Sequence, residues 1–131
     1  MPVLGVHLVE GMHTPAQHAE LLVAMSTRYA EVTEVPLERV RAHITLHRPQ
    51  LWANGGIPAD GRSAPYFTAA VFADRPAEAR RRLLGALTDL VVDVLGVDRR
   101  LVHGEVVPVR PEDWVVGGTS AGAARRVLGA R

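Results

Sequence analysis

Cysteine is absent from the 131-residue chain, which removes disulfides, thiolate metal sites and cysteine nucleophiles together. Aromatic residues supply only 5% of it. No apolar run approaches the roughly 18 residues that a membrane-crossing helix needs, so no membrane partner is expected. The first residues lack a basic stretch followed by an apolar one, and a cytoplasmic location is expected. Charge of one sign is lacking as well: Lys and Arg number 15 against 14 Asp and Glu, a formal charge of +1. A chain so nearly neutral does not present the basic surface that a polyanion requires, so no nucleic-acid partner is expected. The run Arg80-Arg81-Arg82 and the pair Arg125-Arg126 read as solvated faces. What remains, 47% hydrophobic and 22% charged residues, suits a single globular domain.

The most informative feature is a repeat. Moving the sequence by 62 positions lays Arg48-Pro49, Trp52 and Gly55-Gly56 on Arg110-Pro111, Trp114 and Gly117-Gly118. The same offset pairs Leu21, Leu22, Met25, Tyr29 and Val32 with Leu83, Leu84, Leu87, Val91 and Val94, so the apolar pattern is duplicated along with the punctuation.

Within the first copy, Val3 to Val9 is apolar and partly β-branched, which predicts a strand buried on both faces. Thr14-Pro15-Ala16-Gln17 reads as a helix start, with Thr14 as N-cap, Pro15 in the first turn and Gln17 completing a capping box. The stripe at 21, 22, 25, 29 and 32 predicts a helix to about Glu31. Val40 to Leu46 follows as a strand, and Trp52 to Gly56 as a hairpin or loop. The second copy repeats this with a strand near Tyr66 to Ala73, a helix from about Pro76 to Leu95 and a strand near Leu101 to Val107.

The expected fold is therefore α+β: tandem β-α-β units, about 2–56 and 64–118, forming a four-stranded mixed sheet with two helices on one face. The other face then needs cover, which predicts self-association. Residues 119–131 are expected to form a C-terminal arm that starts a short helix at Thr119 or Ser120 and reaches an interface.

Pro2 follows an initiator Met that is normally removed before so small a residue. Removal leaves a secondary amine at the head of a buried strand. Apolar surroundings and nearby cations disfavour its charged form, and an amine that is neutral near pH 7 serves as a general base, its protonated form as a general acid.

Pro2-Val-Leu-Gly-Val-His7-Leu-Val-Glu10-Gly11, the helix after it, Val40-Arg41 with Ile44-Thr45, and Trp52 with Gly55-Gly56 together resemble the tautomerase superfamily. Its members use an amino-terminal proline. Since the second half resembles it too, the match spans nearly the whole chain. Among the duplicated members the sequence is most similar to the malonate semialdehyde decarboxylase and cis-3-chloroacrylic acid dehalogenase groups, with His47-Arg48-Pro49, Gly61-Arg62-Ser63, Arg75-Pro76 and Asp113-Trp114 standing where the decarboxylases have like residues.

The resemblance implies a tautomerase-type fold, a homotrimer, a small carboxylate substrate and no cofactor. It implies Pro2 as the catalytic residue and Arg75 as the group that binds the substrate carboxylate. Arg41 matches an arginine that the short tautomerases use for a far carboxylate or a developing oxyanion. Trp114 matches an aromatic wall, whereas Trp52 is read as part of the core of its repeat. His103 is a candidate because it takes the place of Arg41 in the second copy. The second copy has Ala64 in place of Pro2, without a free amine, so one site per chain is expected.

The departures from the family pattern are specific. Ala77 and Glu78 stand where the decarboxylases and dehalogenases carry a second arginine. Arg39 occupies the decarboxylases' acidic position, Val116 the dehalogenases' glutamate position, and Met12 the first-copy arginine of the short tautomerases. Ketonisation of a simple enol acid is therefore the leading activity. Decarboxylation, or hydration and dehalogenation, is the alternative within the enzyme class, and a non-catalytic trimeric binding module is the alternative outside it.

Two further signals fail on geometry. Gly118-Thr-Ser120-Ala-Gly122 has the spacing of a nucleophile elbow, but no His follows it. His43 and His47 lie about 13 Å apart along one strand at roughly 3.3 Å per residue, and His13 and His18 do not share a helix face. His7 reads as a structural histidine, and no metal is expected.

Overall fold

The structure is a computed structural model that describes residues 2–129, with side chains through Arg126. Met1, Ala130 and Arg131 lie outside the described residues, so the end of the expected C-terminal arm does too.

Strand β1 (Val3–Val9) leads into helix α1 (Pro15–Thr33), which returns the chain to β2 (Arg41–His47). Thr14 accepts from the Gln17 N–H at 3.1 Å while the Gln17 side chain accepts from the Thr14 N–H at 2.9 Å, the expected capping box. The helix runs two residues past Glu31 and stops where Glu34 takes a left-handed conformation, φ 56°. A short hairpin of β3 (Ala53–Asn54) and β4 (Ile57–Pro58) closes the unit, turning at Gly55 and Gly56, both of positive φ.

The second copy follows with β5 (Tyr66–Phe72), α2 (Ala77–Leu95), β6 (His103–Val109) and a second hairpin, β7 (Val115–Val116) with β8 (Thr119–Ser120), again turning at two glycines of positive φ. β6 begins two residues later than the apolar pattern suggests. The Asp98 carboxylate accepts from the Arg100 N–H and winds Arg99–Leu101 into a 3-10 turn before the strand starts. The last helix, α3 (Ala121–Gly129), starts just after Ser120, whose hydroxyl accepts from the Ala123 N–H at 3.0 Å. It turns back onto its own chain, since Arg125 reaches Asp74 at 2.6 Å and lies over the Phe72 ring.

The four long strands form one mixed sheet in the order β2-β1-β5-β6. β1 and β2 run parallel, as do β5 and β6, and the two units join antiparallel along β1 and β5. Alternation along the strands sends Leu4, Val6, Leu8, Phe67, Ala69 and Val71 to one face, where Leu21, Met25 and Tyr29 of α1 and Leu83, Leu87, Val91 and Leu95 of α2 bury them in one core. Each such fully buried large side chain contributes about 1.5–3 kcal/mol.

The helix-free face mixes polar and apolar side chains, among the latter Val3, Phe72 and Val107. It presents Arg41, His43, Thr45 and His47 on β2, His7 on β1, Tyr66 and Thr68 on β5, and His103 and Glu105 on β6. Val107 of β6 is exposed on this face too, and further large exposed apolar side chains stand around the hairpins, with Leu51 and Ile57 at the first and Val115 and Val116 on the second. The outer edges of β2 and β6 have no neighbouring strand among the described residues.

Candidate active site

The antiparallel register of β1 and β5 sorts the expected site residues into two groups at opposite ends of the sheet. Pro2 is buried, and its carbonyl accepts from the Arg41 N–H at 2.7 Å, so it is held as an extension of β1. The register sets Leu4 against Ala69; continued outward, it sets Pro2 against Val71, near the end of β5. Arg75 leaves that same end: its N–H donates to the Phe72 carbonyl at 3.1 Å, and its side chain is half-buried.

The Arg75 charge also acts on Tyr29. Its hydroxyl, at the end of α1, donates to the Ala70 carbonyl at 2.6 Å. Burial pushes the phenol up to about 12, against the opposing pull of the Arg75 guanidinium. The Arg75 charge thus bears on a buried hydroxyl beside the strand end where Pro2 begins. Sequence reading treats Tyr29 only as one member of an apolar stripe, and nothing in the spacing marks its hydroxyl as belonging to this end.

Trp114 lies at the same end, because β6 runs parallel to β5 and its last residue, Val109, accepts from the Ala73 N–H at 2.8 Å. The indole is half-buried, with its Nε1–H out of solvent and without a partner among the described residues. Arg41 is brought to Pro2 through its backbone, but its guanidinium folds onto the carbonyls of Glu38 and Val40 at 3.1 and 3.4 Å.

His103 and Trp52 fall elsewhere. His103 pairs with Tyr66 at the start of β5, five residues from Val71, or about 17 Å at 3.3 Å per residue. It stands at the end where Ala64 replaces the proline. Within one chain it does not join Pro2 and Arg75. Trp52 is at this end too, its Nε1–H donating to Asn54 at 3.1 Å and its ring meeting His47 edge-on at 5.2 Å.

Clefts on the described surface include two near the first hairpin and along β6. One, of about 210 Å³, includes Met12, Trp52 and Arg62 in its lining. The other, of about 630 Å³, runs along β6 by His103, Glu105 and Arg99. Neither is lined by Pro2 or Arg75. Among the described residues no helix is long and apolar enough to cross a membrane, and no three His, Asp or Glu side chains converge as a metal cluster would require.

The chain matches known proteins in both sequence and structure. A family model described as Tautomerase enzyme matches residues 65–124. No curated protein matches the sequence significantly. Among solved structures, a wild-type fused 4-OT described as a symmetric trimer is 31% identical, with a TM-score of 0.85 over 94% of this chain and 98% of its own. A native fused 4-OT is 28% identical, with a TM-score of 0.86 over 98% of this chain and 99% of its own. Pt0534, in a crystal structure inactivated by 2-oxo-3-pentynoate, shares the fold at 21% identity, with a TM-score of 0.86 over 93% of this chain and 98% of its own. With nearly a third of its residues shared with the first of these along almost its whole length, and the family match across its second copy, the chain belongs to the tautomerase family.

Proposed function

We propose that this chain is a cofactor-independent, cytoplasmic tautomerase in which Pro2, exposed as a secondary amine by removal of Met1, moves a proton at the carbon beside the carbonyl of a small enol or keto carboxylic acid. What supports this reading is that the antiparallel register of β1 and β5 sets Pro2 and the backbone of Arg75 at the same end of the sheet. A guanidinium there holds a carboxylate bidentately and adds positive charge that favours the neutral amine.

In the proposed reaction, the neutral nitrogen of Pro2 takes the enol proton, and its protonated form delivers a proton to the adjacent carbon, completing ketonisation with the amine restored. Arg75 binds the acid group, Arg41 stabilises the developing oxyanion once its side chain swings off the Glu38 turn, and Trp114 walls the site from water. His103 serves this chemistry only across an assembly contact, since its own sheet places it at the far end from Pro2. The open edges of β2 and β6 and the apolar hairpins support self-association, and the symmetric trimer of the fused 4-OT relative points to a homotrimer.

Decarboxylation or dehalogenation of the kind the resemblance suggests has less support. Arg39 lies on an exposed 3-10 turn, Val116 is exposed on the second hairpin, and Ala77 and Glu78 open α2 where a second arginine is required. The test is covalent. 2-Oxo-3-pentynoate carries an alkyne conjugated to its ketone, which adds to a neutral amine. Mass mapping is expected to find one adduct per chain, on Pro2. A chain that retains Met1, or an adduct elsewhere, overturns the assignment and favours a non-catalytic binding module.

A further inference from the structure

No second arginine follows Arg75 in sequence, since Ala77 and Glu78 stand at the positions where the resemblance expects one. The fold brings a guanidinium to the same strand end from the last helix of the chain. Phe72, the last residue of β5, accepts from the Arg75 N–H at 3.1 Å, and the Cζ of Arg125 lies 4.2 Å from the centre of the Phe72 ring. Arg125 Nη1 donates to Asp74 Oδ2 at 2.6 Å, so its partner is the residue next to Arg75.

Contacts that do not involve Arg125 hold α3 in this place. The Ala121 N–H donates to the Trp114 carbonyl at 2.7 Å, and the Ser120 hydroxyl caps the first turn. Gly122 is buried against the Glu112 backbone, where a Cβ would come within 3.0 Å of the Glu112 nitrogen. Arg125 follows Gly122 by one helical step of i to i+3 and so shares its inward face. Alternation along β5 puts Phe72 and the guanidinium stacked on it on the helix-free side, whereas the Arg75 charge acts on Tyr29 of α1, on the other side. Two cations therefore approach the end of β5 from opposite faces, with Pro2 on the adjacent strand.

We propose that Arg125 is a second substrate-binding arginine of the Pro2 site, and that Asp74 holds its guanidinium in the free chain as a stand-in that the carboxylate of the acid displaces. The Arg125–Asp74 pair suits such an exchange. Its side chains are 46% and 59% exposed, and an ion pair so exposed adds little to stability. The Phe72 ring attracts the cation through its face and leaves the N–H donors free to change partner, so the arginine stays in place when Asp74 leaves. A guanidinium then offers an incoming carboxylate two parallel N–H donors. The identity of the substrate rests on the tautomerase reading; recognition of the acid group is measured apart from turnover.

The test uses two probes on the processed full chain: phenylenolpyruvate for turnover, and benzoylformate, a 2-oxo acid with no enolisable carbon, for binding by calorimetry. Arg125→Gln is expected to raise KM and Kd about tenfold and to leave kcat within about twofold. Arg126→Gln is expected to change neither. Asp74→Asn breaks the same ion pair but removes the competitor, so it is expected to lower KM and Kd by about threefold, a gain that disappears in the Arg125→Gln background. A merely structural pair predicts that both variants shift in the same direction. Circular dichroism and sedimentation establish that each variant keeps the fold and assembly of the wild type. Wild-type KM and Kd in Arg125→Gln, a rise of both in Asp74→Asn, or a wild-type chain that does not bind benzoylformate overturns the proposal. A chain that binds benzoylformate through Arg125 without ketonising phenylenolpyruvate supports it and overturns the tautomerase reading alone.

Discussion

The backbone N–H of Arg41 donates to the carbonyl of Pro2 at 2.7 Å, carrying the β1–β2 pairing one residue beyond Val3. Pro2 is therefore positioned by the sheet itself. A strand extension is rigid, and a proton-transfer group gains most from being held within hydrogen-bond reach of its target.

Arg75→Ala is expected to lower kcat/KM for an enol acid such as phenylenolpyruvate by about 10- to 100-fold, the range set by roughly 1.5–3 kcal/mol for a hydrogen bond to a charged group. Most of the effect falls on KM, because the guanidinium holds the carboxylate in ground and transition states alike. Steady-state kinetics measure the split; an unchanged KM contradicts the role given to Arg75.

Tyr29→Phe removes the hydroxyl that donates to the Ala70 carbonyl, and about 1 kcal/mol of stability is expected to go with it. Denaturant midpoints measure that loss. Spectrophotometric titration of the wild type is expected to show Tyr29 resisting ionisation until about pH 12, the value that burial sets, with Tyr66 also raised by its hydrogen bond to Glu105.

Two glycines on the sheet are expected to respond oppositely to alanine. A Cβ at Gly104 meets the Phe67 ring at 2.2 Å, and Phe67 is locked in the core, so Gly104→Ala costs about 1–3 kcal/mol. A Cβ at Gly5 meets the His43 ring at the same distance, but His43 is exposed and swings aside, so the cost stays under about 1 kcal/mol. Similar losses in the two variants contradict this account of the core.

Asp60 stabilises the loop after the first hairpin by accepting from Asn54 and Arg62, and these bonds hold its carboxyl down at about 2, against an ordinary value of 3.8. Its folded-state pKa is depressed, so its contribution is complete above about pH 4 and is lost as pH falls toward 2. Asp60→Asn is expected to flatten the acid limb of the stability profile. Depression of the His7 pKa has the same sense at higher pH: the folded chain binds that proton less readily, so stability falls as pH drops below 6.5. His7→Gln removes that second step.

Periodicity makes most of the architecture legible. The 62-residue offset anticipates both β-α-β units, and it marks the two hairpins as well. Pro49 and Pro111 open the turns that precede them, and each Gly-Gly pair begins three residues after its tryptophan, Trp52 or Trp114. Strand ends are less legible, because the 3-10 turns before β2 and β6 leave little mark on the apolar pattern: Arg99–Leu101 is capped by the Asp98 side chain, whereas Leu37–Arg39 forms with no side-chain cap. For the site, the sequence points to Pro2 and Arg75 but carries no information on register. Register alone separates His103 from Pro2 and brings His7 to His47, forty residues apart in the chain.

The most direct test of the central claim is the rate at which the processed chain and its Pro2→Ala variant ketonise phenylenolpyruvate, with circular dichroism establishing that both are folded. The account predicts a loss of about 100-fold or more in kcat for the variant, the contribution of a positioned acid–base group. A variant that turns over at the wild-type rate contradicts it.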